Sequence, residues 1–199
     1  MGEASKSFLT NVPPMGIYET LYAFQDAFGT YMGNKGTHPW SQGFPLTTQL
    51  PEGPEMPENI YVNAEDLKYP KAWGLPELRE AIAEYYNHYY SAGIDHENIM
   101  IFAGGRPGLI ALLMFLQQDI HIRIAGTEYT PYYDMLRLLK REYSIVESHV
   151  DNSFFPTVQD YVNPVHGDRN LVMLSNPCNP TGVTRTGDEL KSLVNKASY

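Results

Sequence analysis

The residues with the clearest chemical potential form an octapeptide, Ser-Asn-Pro-Cys-Asn-Pro-Thr-Gly, at positions 175–182. It follows the apolar run Leu171–Leu174, which predicts a buried strand. Proline donates no backbone hydrogen bond and disfavours helical geometry in the residue before it, so neither the strand nor a helix can continue. We therefore expect a rigid loop that presents Asn179 at the carboxyl end of the strand, where open α/β sheets bind their ligands.

A second candidate is the turn Phe102–Gly108, which joins a predicted strand to a predicted helix. Gly104 and Gly105 would let the backbone turn tightly and approach a ligand closely. The amides of Gly105, Arg106 and Gly108, together with the helix dipole, would form an anion site. On the glycines alone, an ordinary strand–helix turn is the simpler interpretation.

Three further loop segments carry a tyrosine or a glycine that could face a ligand. The chain has 15 tyrosines, so a single tyrosine more often belongs to the core or the surface. Glycine likewise marks many surface turns. The segments are Ser41–Pro45 with Gly43, Lys68–Arg79 with Tyr69, and Thr130–Tyr133 with Tyr133.

The octapeptide resembles the SNPxNPTG signature of class I/II aminotransferases, which are fold-type-I enzymes that use pyridoxal 5′-phosphate (PLP). The other segments resemble further motifs of this family, in the family's order, and together they span residues 41–182. The resemblance implies that Asn179 bonds the 3′ oxygen of the cofactor and often the substrate carboxylate. It also implies that Tyr133 stacks on the pyridine ring.

The remaining motifs imply further contacts with the cofactor and the substrate. In the resemblance, Gly104, Gly105 and Arg106 belong to the cup that holds the PLP phosphate, with Arg106 replacing the usual hydroxyl-bearing residue. Tyr69 corresponds to a tyrosine that reaches the phosphate of the neighbouring subunit, which implies a homodimer with shared active sites. Gly43 corresponds to a glycine that lies over the substrate carboxylate.

The family's catalytic lysine, which forms a Schiff base with PLP, normally follows the octapeptide. No segment after Gly182 matches its motif, and Lys6 lies in a superficially similar segment at the wrong end of the chain. We therefore expect no catalytic residue in this chain. The expected organisation is an amino-terminal arm with part of a small domain over residues 1–60, and a truncated PLP-binding large domain over residues 61–199.

The activity implied by the resemblance is transfer of an amino group between an amino acid and a 2-oxo acid by the full-length protein. Two alternatives stay open at this point. The chain could be a noncatalytic half-domain or assembly partner. It could also belong to another fold-type-I PLP enzyme, such as a lyase or a decarboxylase, because a shared fold does not fix the reaction.

These motifs need a scaffold, and the hydrophobic pattern predicts one in which strands and helices alternate from about residue 60. Such alternation predicts a mainly parallel sheet with helices on both faces, a three-layer α/β/α large domain that is incomplete here. The predicted helices are Ile17–Tyr31, Pro76–Ser91, Pro107–Gln117, Pro131–Arg141, Thr157–Val162 and Asp188–Ser198, and the predicted strands are Asn98–Ala103, His121–Ala125, Ser144–Val150 and Asn170–Ser175.

Composition narrows the classes of partner. The net charge of −9 is spread along the chain, which disfavours nucleic acid and anionic membranes as partners. The six histidines and the single cysteine show no metal-ligand spacing, so no metal site is expected. Cys178 is the only cysteine of the chain, which favours a reducing, cytoplasmic compartment and a passive role in its loop.

Overall fold

A computed structural model describes residues 16–39, 51–163 and 169–197. Helices and short strands alternate in its second half, and two single 3-10 turns lie between them. The helices are α1 (Gly16–Phe28), α2 (Pro76–Tyr90), α3 (Gly105–Phe115), α4 (Pro131–Leu138), α5 (Val158–Val162) and α6 (Gly187–Ala197), the strands are β1 (His121–Ala125), β2 (Tyr143–Val146) and β3 (Asn170–Met173), and the 3-10 turns are His96–Asn98 and Val150–Asn152.

The chain divides into two compact units, one formed by residues 1–44 and 113–199 and the other by residues 45–112. The first unit contains all three strands. The second contains α2 and the turn before α3. The predicted boundary at residue 60 concerns the domains of a complete enzyme and stays a prediction.

The sheet has the order β2–β1–β3, and both strand pairs are parallel. Ile122 pairs with Tyr143 on one side and with Leu171 on the other. Parallel strands require crossovers, and α4 and α5 lie within the two connections. The prediction of a parallel sheet with intervening helices is confirmed, and β1 has the predicted bounds.

Both faces of the central strand β1 are covered. Ile122 and Ile124 are fully buried on one face. On the other face, the guanidinium of Arg123 donates to the carbonyls of Asp160 and Asn163 at 2.8 and 2.9 Å, next to α5. A cluster of buried side chains from the strands, α5 and α6 continues this second face and consists of Ala125, Val146, Tyr161 and Leu193. The carboxyl ends of β1 and β3 therefore sit on a packed core.

The predicted strand Asn98–Ala103 is wrong. Asn98 ends a 3-10 turn, because Asp95 accepts a hydrogen bond from the Glu97 amide at 2.8 Å and its own amide donates to the Asn98 side chain at 3.0 Å. The apolar residues that follow run extended outside any sheet among the described residues. The segment is held to the preceding chain by a backbone hydrogen bond, from the Ile101 amide to the Trp73 carbonyl at 3.0 Å, and Met100 and Phe102 are exposed.

Several helix ends also differ from the predicted ones. Helix α1 ends at Phe28 rather than Tyr31, because Gly29 takes a left-handed φ of 67°. Helix α3 begins at Gly105, so Pro107 is its third residue rather than its first. No helix in the described ranges is long and apolar enough to cross a membrane.

Candidate functional site

The octapeptide leaves the sheet at the carboxyl end of β3 and folds into a loop closed by its own backbone. The Gly182 amide donates to the Cys178 carbonyl at 2.7 Å, and the Cys178 amide donates to the Val183 carbonyl at 2.8 Å. The Asn179–Pro180 and Asn176–Pro177 peptide bonds are both cis. The predicted loop after the strand is confirmed, whereas β3 itself is half-buried rather than buried.

The first asparagine of the octapeptide closes the base of the loop. The side-chain amide of Asn176 donates to the Arg185 carbonyl at 2.9 Å, and its oxygen accepts from the Arg185 amide at 2.8 Å. These two bonds imitate a pair of sheet hydrogen bonds. Asn176 therefore has a structural role in the loop.

Arg185 anchors the far end of the loop in the core and is only 5% exposed. Its guanidinium donates to the Pro156 carbonyl, forms an ion pair with Glu189 in α6, and lies 4.1 Å from the centre of the Phe155 ring and 5.3 Å from that of Tyr161. A buried cation needs such partners. Sequence reasoning missed this residue because only Glu189 is near it in the sequence, whereas Phe155, Pro156 and Tyr161 come from the connection between β2 and β3.

The carboxylate of Glu128 ties the loop after β1 to the loop after β3. Glu128 is 3% exposed, and its oxygens accept from the Ser175 amide at 3.0 Å, the Ser175 hydroxyl at 2.6 Å and the Tyr129 amide at 3.1 Å. The Ser175 hydroxyl oxygen in turn accepts a hydrogen bond from the backbone N–H of Asn179 at 3.0 Å. Sequence reasoning missed Glu128, since a lone glutamate in a loop is usually solvated.

Asn179 contrasts with these buried residues. Its side chain is exposed, and among the described residues it forms no hydrogen bond. Its backbone is held by Ser175, so the carboxamide is presented from a fixed point at the sheet edge. A carboxamide in this position can donate to and accept from a ligand.

Tyr133 lies at the same edge of the sheet, in the first turn of α4. Its hydroxyl donates to the carbonyl of Ala125, the last residue of β1. Burial, with a smaller contribution from the Glu128 carboxylate, raises the pKa of Tyr133 to about 12. The phenol therefore stays protonated near neutral pH, and its hydrogen bond fixes the half-buried ring. The structure brings Tyr133 and Asn179 to one edge, and their contacts with PLP stay predictions.

The glycine turn belongs to the second unit. Gly104 has a φ of +97°, and a Cβ added at Gly105 would meet open space at the amino terminus of α3. That helix end offers first-turn amides and a positive dipole to an anion. The expected contribution of the Gly108 amide is wrong, because Gly108 is the fourth residue of α3 and its amide lies within the helical ladder. Phosphate binding by Gly104, Gly105 and Arg106 stays a prediction.

Two further predicted residues stand apart. Tyr69 is fully exposed, as a residue reaching another subunit would be, but its role stays a prediction. Gly43 lies outside the described residues. Within the part of the chain that the structure describes, no three His, Cys, Asp or Glu side chains are grouped as metal ligands.

The comparisons with known proteins agree with this arrangement. The family described as Aminotransferase class I and II matches residues 37–198. An aspartate aminotransferase from Pyrococcus horikoshii is 26% identical over 125 residues, which are 62% of this chain and 32% of that protein. A valine–pyruvate aminotransferase from Mycobacterium tuberculosis is 28% identical over 137 residues, or 67% of this chain and 34% of the relative.

Solved structures give the same result. An aminotransferase from Mycobacterium tuberculosis superposes with a TM-score of 0.58 at 27% identity, over 65% of this chain and 34% of that one. Aspartate aminotransferase from Thermus thermophilus with maleate gives a TM-score of 0.61 over 65% of this chain and 34% of that one, and at 24% identity it supports the fold alone.

The fold is therefore part of the PLP-transferase fold of aminotransferases, a parallel sheet with helices, and the predicted fold class is confirmed. The chain belongs to the class I and II aminotransferase family. It spans about a third of the length of the relatives that it matches.

Proposed function

We propose that the full-length protein is a PLP-dependent aminotransferase that exchanges an amino group between an amino acid and a 2-oxo acid. The observation that carries the proposal is the octapeptide loop, in which the backbone amide of Asn179 is hydrogen-bonded to Ser175 and its carboxamide is exposed at the carboxyl edge of the sheet. Relatives with matching segments are named as aspartate and valine–pyruvate aminotransferases.

The residues of each unit fit a ligand with the chemistry of PLP. The cofactor, when bound, supplies an electron sink for the bonds at the substrate's α-carbon. In the first unit, the Asn179 carboxamide would donate to the cofactor's 3′ oxygen, and the Tyr133 ring would stack on the pyridine. In the second unit, the open end of α3 at Gly105 would hold the phosphate.

The binding of substrate and the assembly follow from the same resemblance. Asn179 and Gly43 would contact the substrate carboxylate. Tyr69 would reach the phosphate of a neighbouring subunit in a homodimer with shared sites, and its complete exposure in a single chain supports that role. The acidic net charge and the single cysteine support a cytoplasmic protein without nucleic-acid or membrane partners.

The experiment is a half-reaction assay on the purified full-length protein. PLP is added, and the visible absorbance is followed as single amino acids are supplied. We expect one or a few amino acids to convert the bound cofactor to its amino form, and a 2-oxo acid to reverse the change. Binding of PLP without conversion by any amino acid would favour a noncatalytic protein, and loss of carbon dioxide or of a side chain would indicate a decarboxylase or a lyase.

A further inference from the structure

We propose that Glu128 is a positioning residue that sets the position of Asn179 through Ser175. The proposal rests on the proposed function, because it concerns the same cofactor-facing asparagine. It adds a residue that the octapeptide does not contain, on a loop that follows a different strand.

The hydrogen-bond directions are fixed by what Glu128 can do. An ionised carboxylate only accepts, so the single Ser175 hydroxyl proton must point to Glu128, at 2.6 Å. A lone pair of the Ser175 hydroxyl oxygen is then free to accept the hydrogen bond from the backbone N–H of Asn179, at 3.0 Å. The series of donors and acceptors therefore has one consistent direction, from Asn179 through Ser175 to Glu128.

The surroundings of Glu128 support a positioning role over direct contact with a ligand. Glu128 and Ser175 line a cavity of about 10 Å³, which has room for one water molecule at most. Three donors already occupy the carboxylate. The carboxamide of Asn179, in contrast, is exposed and has no hydrogen-bond partner in the described part of the chain.

An isosteric change tests the charge and the acceptor pattern together. In Glu128→Gln, the new NH₂ group occupies the position of one carboxylate oxygen. At one position it faces the Ser175 amide, and at the other it faces the Tyr129 amide. Either orientation sets one N–H group against another, so the bond pattern that holds Ser175 cannot persist.

The first readout is independent of PLP. Cys178 lies within the loop, and its thiol donates to the Thr127 carbonyl at 3.4 Å. We expect the rate of iodoacetamide labelling at Cys178, followed by peptide mass in the full-length protein, to rise about tenfold in Glu128→Gln, as for the loss of a charge-assisted bond. Glu147→Gln is the matched control, because that side chain is 91% exposed after the neighbouring strand. Equal rates in the two variants would overturn the proposal.

The second readout connects the loop to the cofactor. Glu128→Gln and Asn179→Ala should each shift the pH at which the absorbance of protein-bound PLP changes. The double variant should show the same midpoint as Asn179→Ala alone, because Glu128 acts through Asn179. Additive shifts would mean that Glu128 acts on the cofactor by another route, and would overturn the proposal.

Serine variants keep the test valid if Glu128→Gln does not fold. Ser175→Ala removes the hydroxyl and should reproduce both effects, whereas Ser175→Thr retains it and should restore wild-type labelling and midpoint. If Ser175→Thr does not show the labelling rate and midpoint of the wild type, the proposed hydrogen-bond series from Asn179 through Ser175 to Glu128 would be contradicted. If the wild-type protein does not bind PLP, the proposed function fails, and the proposed effect of Glu128 on the cofactor fails with it. Faster labelling of Cys178 in Glu128→Gln would still establish that Glu128 holds Ser175 and its loop.

Discussion

The two asparagines of the octapeptide offer a matched pair, because each precedes a proline and yet their surroundings differ. Asn176 makes two hydrogen bonds with the backbone of Arg185, at 2.9 and 2.8 Å. Asn179 makes no side-chain hydrogen bond within the described part of the chain. We expect Asn176→Ala to reduce the free energy of unfolding, and Asn179→Ala to leave it nearly unchanged.

The magnitude follows from the bonds that are lost. A neutral hydrogen bond contributes about 0.5–1.5 kcal/mol net, so Asn176→Ala should cost about 1–3 kcal/mol. Asn179→Ala removes an exposed carboxamide, which should change stability by less than about 0.5 kcal/mol. The two variants should rank the other way in PLP binding, because Asn179→Ala should have the larger direct effect on it.

Urea unfolding of the full-length protein, followed by circular dichroism, measures the difference. The midpoint for Asn176→Ala should fall without a change in the slope m, which would indicate a loss of stability in an otherwise similar transition. The PLP affinity of the same variants is measured as well, and it should fall more in Asn179→Ala than in Asn176→Ala. Equal losses of stability for the two variants, or a larger loss for Asn179→Ala, would refute the division of roles.

Three further predictions concern other parts of the molecule. Burial is the main cause that raises the pKa values of Tyr133 and Tyr161 to about 12 in the folded state, whereas both tyrosines ionise near 10.0 in the unfolded chain. The free energy of unfolding should therefore fall as pH rises from 10 towards 12. In denaturant titrations at several pH values, Tyr133→Phe should make this fall less steep. Gly74→Ala should lower the thermal midpoint more than Gly93→Ala, since both glycines have positive φ but only at Gly74 would the new Cβ lie 2.7 Å from the Ile101 Cβ; equal shifts would contradict the packing argument. Tyr69→Phe should weaken PLP binding by the full-length protein by about tenfold or more, because one hydrogen bond to a charged phosphate is lost. Tyr61→Phe, at a tyrosine that is 94% exposed, should leave PLP binding unchanged.

Local patterns predicted most of the scaffold. Strand β1 has the predicted bounds although its run contains Arg123, because Ile122 and Ile124 are fully buried on one face and the Arg123 guanidinium donates to two carbonyls on the other. The predicted strand Asn98–Ala103 shows the limit of the same method, because Asp95 and Asn98 close a 3-10 turn that apolar periodicity cannot reveal. Short apolar runs do not distinguish a strand from an extended segment packed in a loop.

The candidate site was only half predictable. The resemblance identified Asn179 and Tyr133 from short motifs, and the structure brings both to the carboxyl edge of the sheet. The burial of Glu128 and Arg185 was not predicted, because each has a partner far away in the sequence: Ser175 lies 47 residues after Glu128, and Pro156 lies 29 residues before Arg185, whose ion pair with Glu189 is local. A charged residue in a loop is identified as structural only when folding shows which donors and acceptors surround it.

Reductive trapping locates the lysine that binds PLP. Full-length protein is incubated with PLP, treated with borohydride, digested and mapped by peptide mass. We expect one stoichiometric adduct on a lysine outside residues 1–199, and we expect this adduct to be lost when excess amino acid converts the cofactor before reduction. A stoichiometric adduct on a lysine within residues 1–199 would show that this part of the protein carries the Schiff-base lysine itself, and the absence of any specific adduct would show that Asn179 does not belong to a PLP site of this kind.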